Sequence, residues 1–153
     1  MTTTDVTDQE VADLFASVAE AASAFINGNM RRYVELIQHA DDYTLMAPFG
    51  GEPRRGFDDS DEALDATGRY FKGGEVVVDL VQSVRSGDLV VLVMIERQHG
   101  RIGELPDQDL SLRVTLVFRR AEPGRWLQVH RHADPLVHPI SEARLSALAR
   151  GEG

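Results

Sequence analysis

Residues 75–98 read EVVVDLVQSVRSGDLVVLVMIERQ, two runs rich in Val and Leu parted by Ser86-Gly87. β-branched residues fit a pleated, half-buried surface, and a two-residue connection containing Gly folds the two runs, 75–85 and 88–98, into a hairpin. Pairing Arg85 with Asp88 then sets the register of the whole ribbon. One face holds Val76, Val78, Leu80, Val84, Leu89, Val91, Val93 and Ile95. The other holds Val77, Asp79, Val81, Val90, Leu92, Met94, Glu96 and Gln98. Both faces are largely apolar, so each needs a cover: helices on one side and a second copy of the chain, in a symmetric dimer, on the other.

The strand pattern continues downstream. After a polar loop at 99–108, residues 109–120 and 125–133 form two more strands around the turn Ala121-Glu122-Pro123-Gly124. Pro135 and Pro139 end the sheet, and Ser141 caps a short, weakly apolar helix through Leu145 and Leu148. Upstream the period changes from two to three and four. Thr7-Asp8-Gln9-Glu10 is a capping box, followed by the apolar stripe Val11, Leu14, Phe15, Val18, Ala22, Phe25 and Ile26, which ends at Gly28. Asn29 caps a second helix carrying Met30, Tyr33, Val34 and Ile37, Asp41-Asp42 breaks it off, and 43–47 reads as a short strand. A turn-rich loop at 48–56 precedes a third helix, capped by Asp59 or Ser60, running through Leu64, Thr67, Tyr70 and Phe71 and closed by Gly73-Gly74.

The 153 residues fit one domain, with a core over about 7–138 and a tail or helix at 139–153. A net charge of -9, and the lack of any basic cluster interleaved with aromatics, argues against nucleic acid as a partner. Without cysteine there is no disulfide, thiolate nucleophile or zinc ribbon. No apolar run reaches the roughly 20 residues that span a bilayer, and the polar, acidic start has no signal-peptide pattern, so a cytoplasmic protein is expected. Phosphate loops, dinucleotide fingerprints and Ser/His/Asp motifs are missing, and no cofactor is expected.

Helix, helix, short strand, helix and long strands describe an α+β cone, three N-terminal helices against a curved antiparallel sheet. With that order, LMAPFGG (45–51), RGF (55–57), SLRVTLVFRR (111–120) and GRWLQVHRHADPL (124–136) resemble the nuclear transport factor 2-like (cystatin-like) superfamily. Within it, the match is to the SnoaL-like, ketosteroid-isomerase-like branch; the VHxH element is similar to one in the association domain of calcium/calmodulin-dependent kinase. The resemblance covers roughly 10–136. It implies a pocket between helices and concave sheet that takes a small apolar or carbonyl-bearing molecule, with cofactor-free isomerase, cyclase or dehydratase chemistry, or else a non-catalytic oligomerisation or ligand-sensing module.

The resemblance places Glu96 and Gln98 on the pocket side. Arg113 and Thr115 share a strand face, and a Glu96–Arg113 pair inside the cone follows, either touching a ligand or fixing the neighbouring strands, since a lone buried charge costs several kcal/mol. In the kinase association domain the position resembling Glu96 carries Arg, so the ligand charge preference of that relative does not transfer. Asp79, in an apolar run on the same face, is a candidate base, or else an edge residue with its carboxylate in water. Strict alternation puts His130 and His132 with Trp126 and Gln128 on one side and Leu127, Val129 and Arg131 on the other, so both imidazoles face the cone as acid/base groups, rim hydrogen-bonding groups or core. A metal would need further ligands such as Asp134, His138 or Glu96, and the resemblance implies none. Tyr43, Met46 and Trp126, with Phe49, Tyr70 and Phe71, are candidate pocket walls.

Overall fold

A computed structural model describes residues 5–153. Its helices start where the local chemistry puts them. In α1 (Asp8–Ile26) the Thr7 hydroxyl accepts from the Glu10 amide at 3.1 Å while the Glu10 carboxylate accepts from the Thr7 amide at 2.9 Å, which completes the capping box. Asn29 caps α2 (Met30–Leu36), Ser60 caps α3 (Asp61–Tyr70) and Ser141 caps α4 (Glu142–Ala149). Helix α4 buries none of its side chains. Among the described residues no helix is long and apolar enough to cross a membrane.

The strands are β1 (Gln38–Met46), β2 (Arg54–Arg55), β3 (Phe71–Ser86), β4 (Leu89–Ile102), β5 (Gln108–Asp109), β6 (Leu112–Glu122) and β7 (Arg125–Asp134). They form one sheet in the order β2-β1-β7-β6-β4-β3, with β5 paired to β4. The sheet is curved and mixed, where an antiparallel one is expected, because β1 runs parallel to β7. A parallel neighbour needs a long crossover, and here the whole chain between β1 and β7 supplies it. The three leading helices are interleaved with β1 and β2 and do not all precede the sheet. Asp41-Asp42 does not break β1: the register slips between His39 and Thr44, and Asp42 turns outward to Arg119.

Two β-bulges decide which side chains face the helices. The hairpin turn is Gly87-Asp88, with Gly87 at φ +58°, so Arg85 opposes Val90 instead of Asp88. That slip of two residues keeps the faces. A bulge between Leu80 and Gln82 then reverses them, so that Val76, Val78 and Leu80 side with Gln98, Glu96 and Met94 while Val77 and Asp79 side with Arg97 and Ile95. On the β6–β7 ladder the register shifts again: Phe118 opposes Gln128, but Val117 opposes His130 and Leu116 opposes Arg131. Past Val129 the odd residues of β7 therefore point inward and the even ones outward.

The inner face is the core. Val90, Leu92, Met94, Val114, Leu116 and Phe118 are at most 3 % exposed and lie beneath Val11, Leu14 and Val18 of α1. Ile26, at the end of α1, closes onto the cross-strand pair Gly74–Gly100; a Cβ on Gly100 would sit 3.1 Å from the Ile26 Cγ1, and one on Gly74 2.8 Å from the Gly100 Cα. Only glycine lets helix and strands approach so closely. Arg120, on the inner face of β6, ties the start of α1 to the β3–β4 turn, donating to Glu10 at 3.1 Å and to Asp88 at 2.8 and 3.0 Å.

Candidate functional site

Between the sheet and α2 lies a cluster of polar groups that the core would otherwise exclude. Strand β4 carries Glu96 inward, where it is 4 % exposed. Two strands away Arg131 meets it in a bidentate pair, Nη1 to Oε1 at 2.8 Å and Nη2 to Oε2 at 3.2 Å. Helix α2 supplies Tyr33, β1 supplies His39 and Tyr43, the loop before α3 supplies Phe57, and β7 adds Gln128. His39 stacks on Phe57 with ring centroids 3.9 Å apart and planes 5° off parallel, and meets Tyr43 edge-on at 4.5 Å. The Tyr33 hydroxyl lies 3.3 Å from His39 Nε2 in a shared hydrogen bond.

Burial sets the protonation of this cluster. It pushes His39 down to about 4, although Gln128 is near enough to draw it partly back, so the imidazole is neutral at pH 7. It pushes both phenols up, Arg131 partly opposing this, so Tyr33 and Tyr43 stay protonated as donors. Burial works against the charge of Arg131, but the field and hydrogen bonds of Glu96 outweigh it and hold the guanidinium above its ordinary range. Two groups remain unspent. The Tyr43 hydroxyl makes no hydrogen bond with the described residues, and Gln128 Oε1 is buried without a donor in hydrogen-bond geometry.

The bulges place the expected site residues differently from strict alternation. Glu96 and Tyr43 lie in the cluster, and Gln98 shares the inner face but spends its amide on the Leu110 carbonyl at 2.9 Å. Trp126 is half-buried at the far end of the same face, opposite Arg120. Arg113 and Thr115 are on the outer face, opposite Ile95 and Val93, and Arg113 pairs with Asp134 at 2.8 Å, so the expected Glu96–Arg113 pair is replaced by Glu96–Arg131. Asp79 is also outside, half exposed and paired with Arg97. His130 and His132 point outward as well: His130 Nδ1 meets the Thr44 hydroxyl at 2.8 Å, and exposed His132 lies between Met46 and Thr115. Met46, expected in the pocket wall, shares that outer row and is 45 % exposed. Among the described residues no three His, Asp or Glu side chains gather as metal ligands.

Strict alternation assigns Arg131 to the wrong face and leaves His39, Tyr33 and Phe57 out of the site. Buried Glu96 signals that a cation must stand opposite it, yet Val129 has no turn chemistry to announce the bulge that delivers one. Water reaches the cluster at Arg131, whose side chain is 23 % exposed. Two surface recesses lie elsewhere, about 300 Å³ between Gly28–Arg31 and Leu64–Arg69, and about 270 Å³ between α1, the end of α2 and Trp126. The inner cluster offers phenol and guanidinium donors beside a neutral imidazole, a set that can polarise a carbonyl and accept or return a proton.

Solved structures share this architecture. A dehydratase candidate of the NTF2-like family from Streptomyces avermitilis is 16 % identical, covers 87 % of this chain and 100 % of its own, and superposes with a TM-score of 0.68. A ketosteroid isomerase-like protein from Erwinia carotovora atroseptica is 17 % identical over 87 % of this chain and 100 % of its own, with a TM-score of 0.63. The CaMKII hub homology domain of Chlamydomonas reinhardtii is 17 % identical over 81 % and 96 %, with a TM-score of 0.59. At such identities the likeness concerns the fold. The chain matches no curated protein. Residues 14–137 match the SnoaL-like domain, the stretch from the middle of α1 to just past β7 that builds both the sheet and its inner polar cluster, and the chain belongs to that family.

Proposed function

We propose that the protein binds a small carbonyl-bearing molecule against the inner cluster, with the ligand oxygen accepting from Tyr43 and from N–H groups of Arg131 that Glu96 leaves free. The observation that carries this reading is Tyr43, a residue 3 % exposed whose hydroxyl has no hydrogen-bond partner among the described residues and which lies in the field of Arg131. A phenol O–H and guanidinium N–H groups that converge with no acceptor of their own are donors for a ligand oxygen. Neutral His39, next to Tyr43, is the group placed to move a proton, which suits isomerisation, cyclisation or dehydration without a cofactor. Titration with acetophenone, followed by intrinsic fluorescence, is expected to saturate in the wild type and to weaken about three- to tenfold in Tyr43→Phe, the worth of one hydrogen bond. A titration that never saturates, or one that Tyr43→Phe leaves unchanged, counts against this site.

The outer face supports a second part of the reading, a homodimer through the sheet. Val77 (67 % exposed), Val84 (47 %) and Met46 (45 %) stand there beside Val91, Val93, Ile95 and Val117, an apolar surface larger than single scattered side chains. Its charges are already matched within the chain, as Arg97–Asp79, Arg113–Asp134 and Arg119–Asp42. The face is thus electrically neutral on a chain of net charge -9, so a second copy can approach it where acidic surfaces elsewhere would repel. Light scattering is expected to give about twice the 16.9 kDa of one chain, and Val93→Arg to give the monomer. A dimer that survives Val93→Arg places the contact elsewhere. Dimerisation with no ligand uptake is the signature of a plain oligomerisation module, the alternative that this face favours.

A further inference from the structure

On the reading of the inner cluster as a ligand site, we propose that Glu96 makes the site selective for neutral over anionic ligands, by pairing with Arg131 and cancelling its charge. A guanidinium has five N–H donors and two kinds of edge that fit a carboxylate, Nη1 with Nη2 and Nε with one Nη. Here the first edge is taken: Nη1 and Nη2 each donate to one oxygen of Glu96. Any group that meets the remaining N–H donors therefore meets a guanidinium whose charge is already matched.

Charge acts in the same direction. Glu96 is 4 % exposed, so water does not screen it, and any anion that reached Arg131 would come to rest a few ångströms from its carboxylate. The nearby groups add no positive charge to offset this. Tyr33 and Tyr43 are neutral phenols, His39 is a neutral imidazole and Gln128 an amide, while Asp59 lies within the field of His39 and contributes a further negative charge. The pair is therefore a dipole of zero net charge, suited to a polarised but uncharged group such as a ketone, aldehyde or amide. Glu96 is the specificity-determining residue here, and Arg131 would bind anions if it were released.

Acetophenone and benzoate are near-isosteres that differ by one charge, and their affinities for the full chain at pH 7.5 test the inference. The wild type is expected to bind acetophenone at least about tenfold more tightly than benzoate. In Glu96→Gln, with folding checked by circular dichroism, benzoate affinity relative to acetophenone is expected to rise at least about tenfold. Benzoate binding as tightly as acetophenone in the wild type overturns the inference while leaving the ligand site standing, and that comparison needs no variant to fold. A folded Glu96→Gln that gains nothing for benzoate relative to acetophenone overturns it too. Should neither compound saturate, the ligand site itself is refuted and the selectivity falls with it.

Discussion

Glu96→Ala is expected to destabilise the fold by about 3 kcal/mol, because it leaves the Arg131 guanidinium on the inner face with no counter-charge. Losses of this kind run to about 5 kcal/mol when the stranded ion is fully dry. Arg131 keeps 23 % of its side chain exposed and can recover some hydration, which sets the lower figure. Arg113→Ala is the matched control. Its pair with Asp134 is open to solvent, with the Arg113 side chain 54 % exposed, and such pairs contribute at most about 1 kcal/mol. Denaturant unfolding of both variants separates the two pairs. Equal losses would mean that Glu96 answers to Arg113 after all, as strict strand alternation suggests. The double variant Glu96→Leu with Arg131→Met should regain most of the lost stability, since replacing a whole buried pair by apolar groups of similar volume is often neutral or better.

Acid should destabilise the protein well before its carboxylates are neutralised. An unfolded histidine takes up its proton near 6.5, whereas burial delays this in folded His39 until about 4. Between those values the unfolded chain binds the extra proton, so stability is fully present above pH 6.5 and is lost as pH falls toward 4, by up to about 3 kcal/mol. His99 works the other way, since Asp107 raises its affinity for a proton, and it is cancelled by measuring a difference. The stability of the wild type minus that of His39→Phe, taken from pH 7 to 4.5, should fall with pH. Asp42, Asp58, Asp109 and Asp134, all held below the usual carboxylate range by hydrogen bonds, lose their contributions at lower pH still. A flat difference would place the His39 ring in water.

What could be read from the residues was what neighbours in sequence decide. Thr7, Asn29, Ser60 and Ser141 each cap a helix because a side-chain oxygen meets an amide three residues on, and that geometry is local. Strands β4, β6 and β7 were visible through period-two alternation, and the ordered motifs from Leu45 to Leu136 pointed to the family. Sidedness was another matter. An extra residue in β3 at Val81 and one in β7 at Val129 each turn the rest of the strand over, sending Asp79, His130 and His132 outside and Arg131 inside. Bulges answer to the curvature the sheet needs across strands far apart in the chain, and Val is an ordinary strand residue. The parallel pairing of β1 with β7 is equally non-local, so Asp41-Asp42 looked like a break when it is an outward turn within a strand. The pairing of His39 with Tyr33 is hidden from the sequence for a related reason: six residues apart on different elements, they meet only once α2 folds back over β1.

The shielded polar interior is tested most directly by following the His39 imidazole resonances by NMR from pH 8 to 3. A ring stacked on Phe57 and held away from water should stay neutral through pH 6 and take up its proton at about 4, with its shifts following the Tyr33 hydrogen bond. A midpoint near 6.5, the value of a histidine in free solution, would show that the inner face is wet and that no dry polar cluster exists there.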